Sequence, residues 1–434
     1  MNLSPTATDK TMMRHSADSL PATFTSWMLI PLLLSLLFCT SHPLHAQETV
    51  KTSHTYTYGQ TATFSFSLSA GTDATEATLF INVNSESTTH HTVPLANNQS
   101  QYQWDLRTSP LPPYARVEYW WKFKDAQGDE QSTEPVPFSY IDNRYTWQHE
   151  SRGAITLNWV SGETALMLNA LDIATTALAD IQDLLDNHAT THVDIYIYPS
   201  VPDLHSALRL TGRNWVGGQA YPELGVILLA IPPSQQAILQ MKRDIPHELT
   251  HKVIYDIAGP LGHETLPVWL VEGLASHFEQ SPTTDYALAL EKASETNQFI
   301  PFETLCYPFS DNRAQAILSY AQSQDFISYL QKTYGWSQIR ALIDTYANGL
   351  DCSIGVQRVL GSDLPSLERE WRAWYIHNQQ TPTPVPSRWA VIGIIITDLA
   401  PWLLLIGIIC LPGLLFFVQH QVAQHKVARN ITSA

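Results

Sequence analysis

The 434-residue sequence predicts an all-β domain, then a mixed α+β domain, then a single membrane-crossing helix. Three observations carry this. From about His54 to Asp142 apolar and polar residues alternate with the period of half-buried strands. After Asp142 the texture changes to longer stretches with helical spacing and a few short apolar runs. Leu399 to Val418 is a run of twenty residues without a charge, enough at 1.5 Å rise per residue to cross a hydrocarbon core of about 30 Å.

Composition sets the outer limits. An apolar share of 44% can fill real cores. A formal net charge of -16, with no cluster of Lys and Arg, excludes a phosphate backbone as partner.

Residues 1–46 read as a signal peptide. The apolar run Trp27 to Cys39 follows Lys10 and Arg14 and precedes Leu44-His45-Ala46, which suits cleavage before Gln47. Residues 47–143 form the all-β domain. Its strands show in Phe64, Phe66 and Leu68, in Leu79, Ile81 and Val83, in Tyr102, Trp104 and Leu106, and in Val117, Tyr119, Trp121 and Phe123. Turn signals at Pro112-Pro113 and Gln127-Gly128-Asp129 divide them, and about ninety residues of this kind suit an immunoglobulin- or fibronectin-like sandwich.

Residues 144–379 form the second domain. Glu163 to Leu185 has helical spacing, Val193 to Tyr198 and Val226 to Ile231 read as strands, and helices are expected around His247, around Glu272 and from Gln315 to Lys332. Residues 380–388 contain Thr381-Pro382-Thr383-Pro384-Val385-Pro386, a stiff extended spacer. The membrane segment is placed at 389–418 and a tail at 419–434, where Lys426 and Arg429 put the C-terminus in the cytoplasm and both domains outside. Of four cysteines only Cys306 and Cys352 lie outside the hydrophobic segments, and an exported domain could join them.

The chemistry centres on Pro246-His247-Glu248-Leu249-Thr250-His251. On a helix, residues i and i+4 share one face, so His247 and His251 can reach one metal with Glu248 beside them. Pro246 is tolerated near a helix start, which places that start near Asp244. Downstream, Leu266 to Ala275 reads as a second helix with Glu272 as candidate third ligand; Glu264 and Glu279 remain open on spacing.

These motifs resemble the gluzincins, and within them the peptidase MA-like family of exported bacterial metallopeptidases. The resemblance spans roughly Tyr145 to Tyr375 and rests on the His247 to His251 word, on Trp269 to Ala275, and on Tyr320-Ala321-Gln322-Ser323 with Tyr334-Gly335. It implies a zincin-like (thermolysin-like) α+β catalytic domain, Zn2+ held by His247, His251 and Glu272, and Glu248 as general base. It further implies a peptide or protein substrate paired along an edge strand, for which Gly225 to Ile231 is the candidate, against the plainer reading of a central core strand. Tyr320 is the implied oxyanion donor, against packing in the core; His277 and Tyr334 are next in line. A metzincin would need Gly at position 254 and His at 257, where this chain has Ile254 and Ile257. One departure stands out: where some gluzincins place an Asp to orient a ligating His, this chain has Ser276, leaving Asp256, His277 and Glu279 as candidates. The competing function class is a cell-surface binding or adhesion protein with a degenerate or structural zinc site.

Overall fold

The computed structural model describes residues 50–380, apart from 70–73, 75, 126, 190–191, 209–216 and 282. The expected signal peptide, the Pro-rich spacer beyond residue 380, the membrane segment and the tail lie outside the described residues.

Eight strands open the chain: β1 (Lys51–Thr57), β2 (Thr61–Ser67), β3 (Glu76–Val83), β4 (Ser87–Pro94), β5 (Gln99–Asp105), β6 (Arg116–Lys124), β7 (Glu130–Ser132) and β8 (Val136–Ser139). They pair antiparallel into two sheets, β1-β2-β5 and β4-β3-β6-β7, with β8 also on β6. Period-two alternation turns Phe64 and Phe66 of one sheet toward Leu79, Ile81, Tyr119 and Trp121 of the other, and all six are buried.

A second sheet system follows. β9 (Gln148–Arg152) and β10 (Ile155–Trp159) lead into α1 (Thr164–Leu184), then β11 (Val193–Tyr198), α2 (Val201–Leu208), β12 (Gly218–Tyr221) and β13 (Val226–Ala230). The strand order is β12-β13-β11-β10-β9. Helices complete the fold: α3 (Ala237–His263), α4 (Val268–His277), α5 (Thr284–Thr296), α6 (Phe302–Leu305), α7 (Arg313–Tyr334), α8 (Trp336–Ala347), α9 (Cys352–Leu360) and α10 (Leu364–Gln380). Among the described residues α1 is the one helix long and apolar enough to cross a membrane, yet Met167, Leu171, Leu178 and Ile181 are buried in the core beside the sheet.

The sheet is covered on both faces, which explains why β13 is apolar at every position. Ile195, Ile197, Ile227 and Leu229 face α1 and α3 in one core. Tyr196, Tyr198, Leu228 and Ala230 face the other way, into the core of the β-sandwich. The sequence places a boundary between 143 and 144, but there the two halves share this second core. Buried Asp142 ties the junction: Arg144 donates to it through Nε and Nη2 (2.8 and 2.6 Å), Tyr198 donates its hydroxyl (3.0 Å), and the hydroxyls of Tyr198 and Tyr114 are 2.9 Å apart.

Two expectations need correction. β13 is an interior strand, paired to β11 and β12; the edge is β12, antiparallel to it. The helix that carries His247 begins at Ala237, seven residues before Asp244, with Pro246 inside it. A proline there leaves the Lys242 carbonyl without its helical donor. The Gln280 backbone N–H donates to that carbonyl at 2.9 Å, so a tertiary bond replaces the missing local one. Cys306 and Cys352 are joined by a disulfide, which connects the end of α6 to the start of α9.

Candidate active site

A cleft of about 540 Å³ opens between β12, α3, α4, α5 and α7. His247 and His251 project into it one helical turn apart, and Glu272 approaches from α4. Glu272 Oε2 lies 3.6 Å from His247 Nε2 and 3.8 Å from His251 Nε2. A tetrahedron with bonds of about 2.1 Å has ligand–ligand edges of roughly 3.4 Å, so the trio fits a zinc ion with small adjustments. Among the described residues it is the one His/Cys/Asp/Glu group spaced to hold a metal. Glu279, one of the alternatives for third ligand, sits on the far side of His247, and Glu264 caps α3.

Glu279 has a different task. Its Oε1 lies 3.0 Å from His247 Nδ1, and its Oε2 accepts from Thr283 Oγ1 at 3.1 Å. With Nδ1 donating to this carboxylate, Nε2 is left free to ligate. The Gln280–Lys242 bond anchors Glu279 from the next residue. Of the other two candidates for this role, Asp256 pairs with Lys252 and His277 bonds Ser328.

Neighbouring charges set the histidines apart. Burial lowers both, and His251 falls to about 4. At His247 burial is outweighed by the carboxylates of Glu272 and Glu279, which hold it well above the usual imidazole range. Glu272 is likewise drawn below the carboxylate range against burial, by His251, His247 and a bond from Tyr320.

Glu248 is buried beside them, and burial first, then the charges of Glu272 and Asp244, push its carboxyl up to about 7. The Ala220 N–H of β12 donates to it. A Cβ on Gly218 would stand 2.6 Å from Glu248 Oε1 and 2.8 Å from Leu229 Cδ2, so a side chain here would push Glu248 or Leu229 out of place. The sequence reading missed β12. It is four residues without alternation, and its one local signal is the Pro222–Gly225 turn, where Gly225 takes φ +69°.

Tyr320 lines the cleft rather than the core: its hydroxyl bonds Glu272, its ring is 6.3 Å from that of His247, and Phe326 and Ile327 are buried on another face of α7. Gly273 makes this approach possible. A Cβ there would meet the Ser323 carbonyl at 2.7 Å, so α4 and α7 pack backbone to backbone one turn from Tyr320.

Residues 173–377 match the model of the Peptidase MA superfamily. No curated protein sequence matches the chain. Among solved structures it is similar to the M1 zinc metallopeptidase from Deinococcus radiodurans, at 11% identity over 74% of this chain and 92% of that one, with a TM-score of 0.36. It is also similar to an aminopeptidase N family protein from Idiomarina loihiensis, at 13% identity over 75% and 70%, TM-score 0.28. A Br derivative of BhCBM56 aligns at 17% identity over 22% of this chain and 96% of that one, TM-score 0.18.

Proposed function

We propose that the chain is a membrane-tethered zinc metallopeptidase that hydrolyses peptide bonds on the extracytoplasmic side. The observation that carries this is the convergence of His247, His251 and Glu272 on one point with Glu248 at their side, in an open cleft. A purely structural zinc site would be closed by a fourth protein ligand.

Bound zinc would supply Lewis-acid polarisation of the scissile carbonyl and a water of lowered pKa. His247, His251 and Glu272 would hold it, with Glu279 fixing the tautomer of His247. The chain's own groups do the rest. Glu248, held by the Ala220 N–H, takes a proton from the attacking water and returns it to the leaving amine. Tyr320 directs its hydroxyl to the same space and donates to the oxyanion as charge develops. The side of β12 away from β13, unpaired among the described residues, offers backbone groups to an extended peptide.

Three features support export and tethering: the signal-like start, the uncharged Leu399 to Val418 run, and the Cys306–Cys352 disulfide, a bond that persists in oxidising compartments.

The test uses two substitutions in the purified full chain. Glu248→Gln is expected to lower peptide hydrolysis at least a thousandfold, roughly 4 kcal/mol, while one zinc per chain remains. Glu272→Ala is expected to lose the zinc. Loss of metal from Glu248→Gln, or full metal retention in Glu272→Ala, overturns the assignment.

A further inference from the structure

The outer face of the β4-β3-β6 sheet departs from ordinary polar-out patterning. Phe80 stands directly opposite His90 on one neighbouring strand and Trp120 on the other. None of the three serves the core, since the inward positions beside them belong to buried Leu79, Ile81, Tyr119 and Trp121. Their rings form one row across three strands, with centroids 5.9 and 5.4 Å apart and planes within 31° and 7° of each other.

Polar rows border the rings on both sides. Along one side Thr78 and Thr92 share a hydrogen bond of 3.1 Å; along the other, Asn82 donates to Thr88 at 3.0 Å. Charges of both signs are mixed on this face rather than clustered by sign: Glu118 lies opposite Asn82, and Lys122, opposite Thr78, is joined to Glu130 at 2.8 Å and lies 5.6 Å over the Phe80 ring.

We propose that this face binds a neutral polysaccharide. Its ring row would take the apolar CH faces of sugar residues, and the flanking hydroxyls and amide would bond their hydroxyl groups. A charged polymer finds no matching cluster here. Size argues against a protein partner, because a strip two strand spacings long, about 10 Å, and one ring wide covers on the order of 100 Å², against the roughly 800 Å² per partner of a stable interface. Cross-strand stabilisation of the sheet is the competing role, and it predicts no ligand. The site is independent of the peptidase reading.

Affinity electrophoresis tests it, with the full chain in a polyoxyethylene detergent run through gels containing a soluble β-glucan, a xylan or a mannan. At least one gel should retard the wild type. Trp120→Ala should weaken that retardation at least tenfold and His90→Ala severalfold, with peptide hydrolysis and Tm of His90→Ala unchanged. Should Trp120→Ala fail to fold, His90→Ala on the edge strand β4 decides. Absence of retardation in all three gels, wild-type retardation in the variants, or capture by an envelope protein that free glycan does not compete, each overturns the proposal.

Discussion

The two halves of the described chain bury their polar groups for different ends. In the sandwich and its border, fully buried Asp142 is saturated by Arg144 and Tyr198, a closed arrangement that joins two elements. In the α/β half Glu248 is buried with a raised pKa, and its carboxylate faces an open cleft alongside His247 and Glu272. The first arrangement lowers the energy of one structure; the second places polar groups where a ligand can meet them. Substitutions should therefore separate them: stability at the junction, chemistry or titration in the cleft half.

The largest effect is expected at the junction. Asp142→Ala removes the buried acceptor of Arg144 and Tyr198 and leaves Arg144 only its bond to Ser206 and access to water, so thermal unfolding should show a loss of roughly 3–4 kcal/mol. Because one core serves both halves, tryptophan fluorescence and hydrolytic activity should disappear in one transition. Two well-separated transitions would mean that the halves fold independently.

Tyr320→Phe should behave in the opposite way. It keeps the ring but removes the hydroxyl, so kcat should fall about a hundredfold, roughly 3 kcal/mol, with Tm and zinc content near wild type. Unaltered turnover would leave the oxyanion donor to another residue.

The smallest effect at neutral pH belongs to His277, whose pKa burial lowers to about 4. Between pH 6.5 and about 4 the unfolded chain binds a proton here that the folded chain does not, so stability falls as pH falls through that window. His277→Asn should flatten this acid loss by at most roughly 3 kcal/mol and change little at pH 8. An unchanged acid limb in urea titrations would mean that the group titrates normally in the fold.

Sequence made the local features legible and left the long-range ones hidden. Alternation showed β2, β3 and β6, and the spacing of His247, Glu248 and His251 needed only a helix to become a site. The start of α3 was misread because the cost of Pro246 is offset by Gln280, thirty-four residues away in sequence. Choosing Glu279 over Asp256 and His277 needed the same contact. β12 was missed because its few residues carry no periodic signal, and what fixes them is pairing to β13 and clearance for Glu248. The membrane and signal segments were read from composition alone.

The doubly covered sheet sets a rule for anyone dissecting this protein into fragments. A cut at residue 143, where the sequence texture changes, would strip the sandwich from Tyr196, Tyr198, Leu228 and Ala230 and present that wall to water. Such a piece would carry every residue assigned to catalysis and still be a poor reagent, since a bare apolar sheet face recruits other copies of itself. The smallest usable fragment of the enzyme begins ahead of β1.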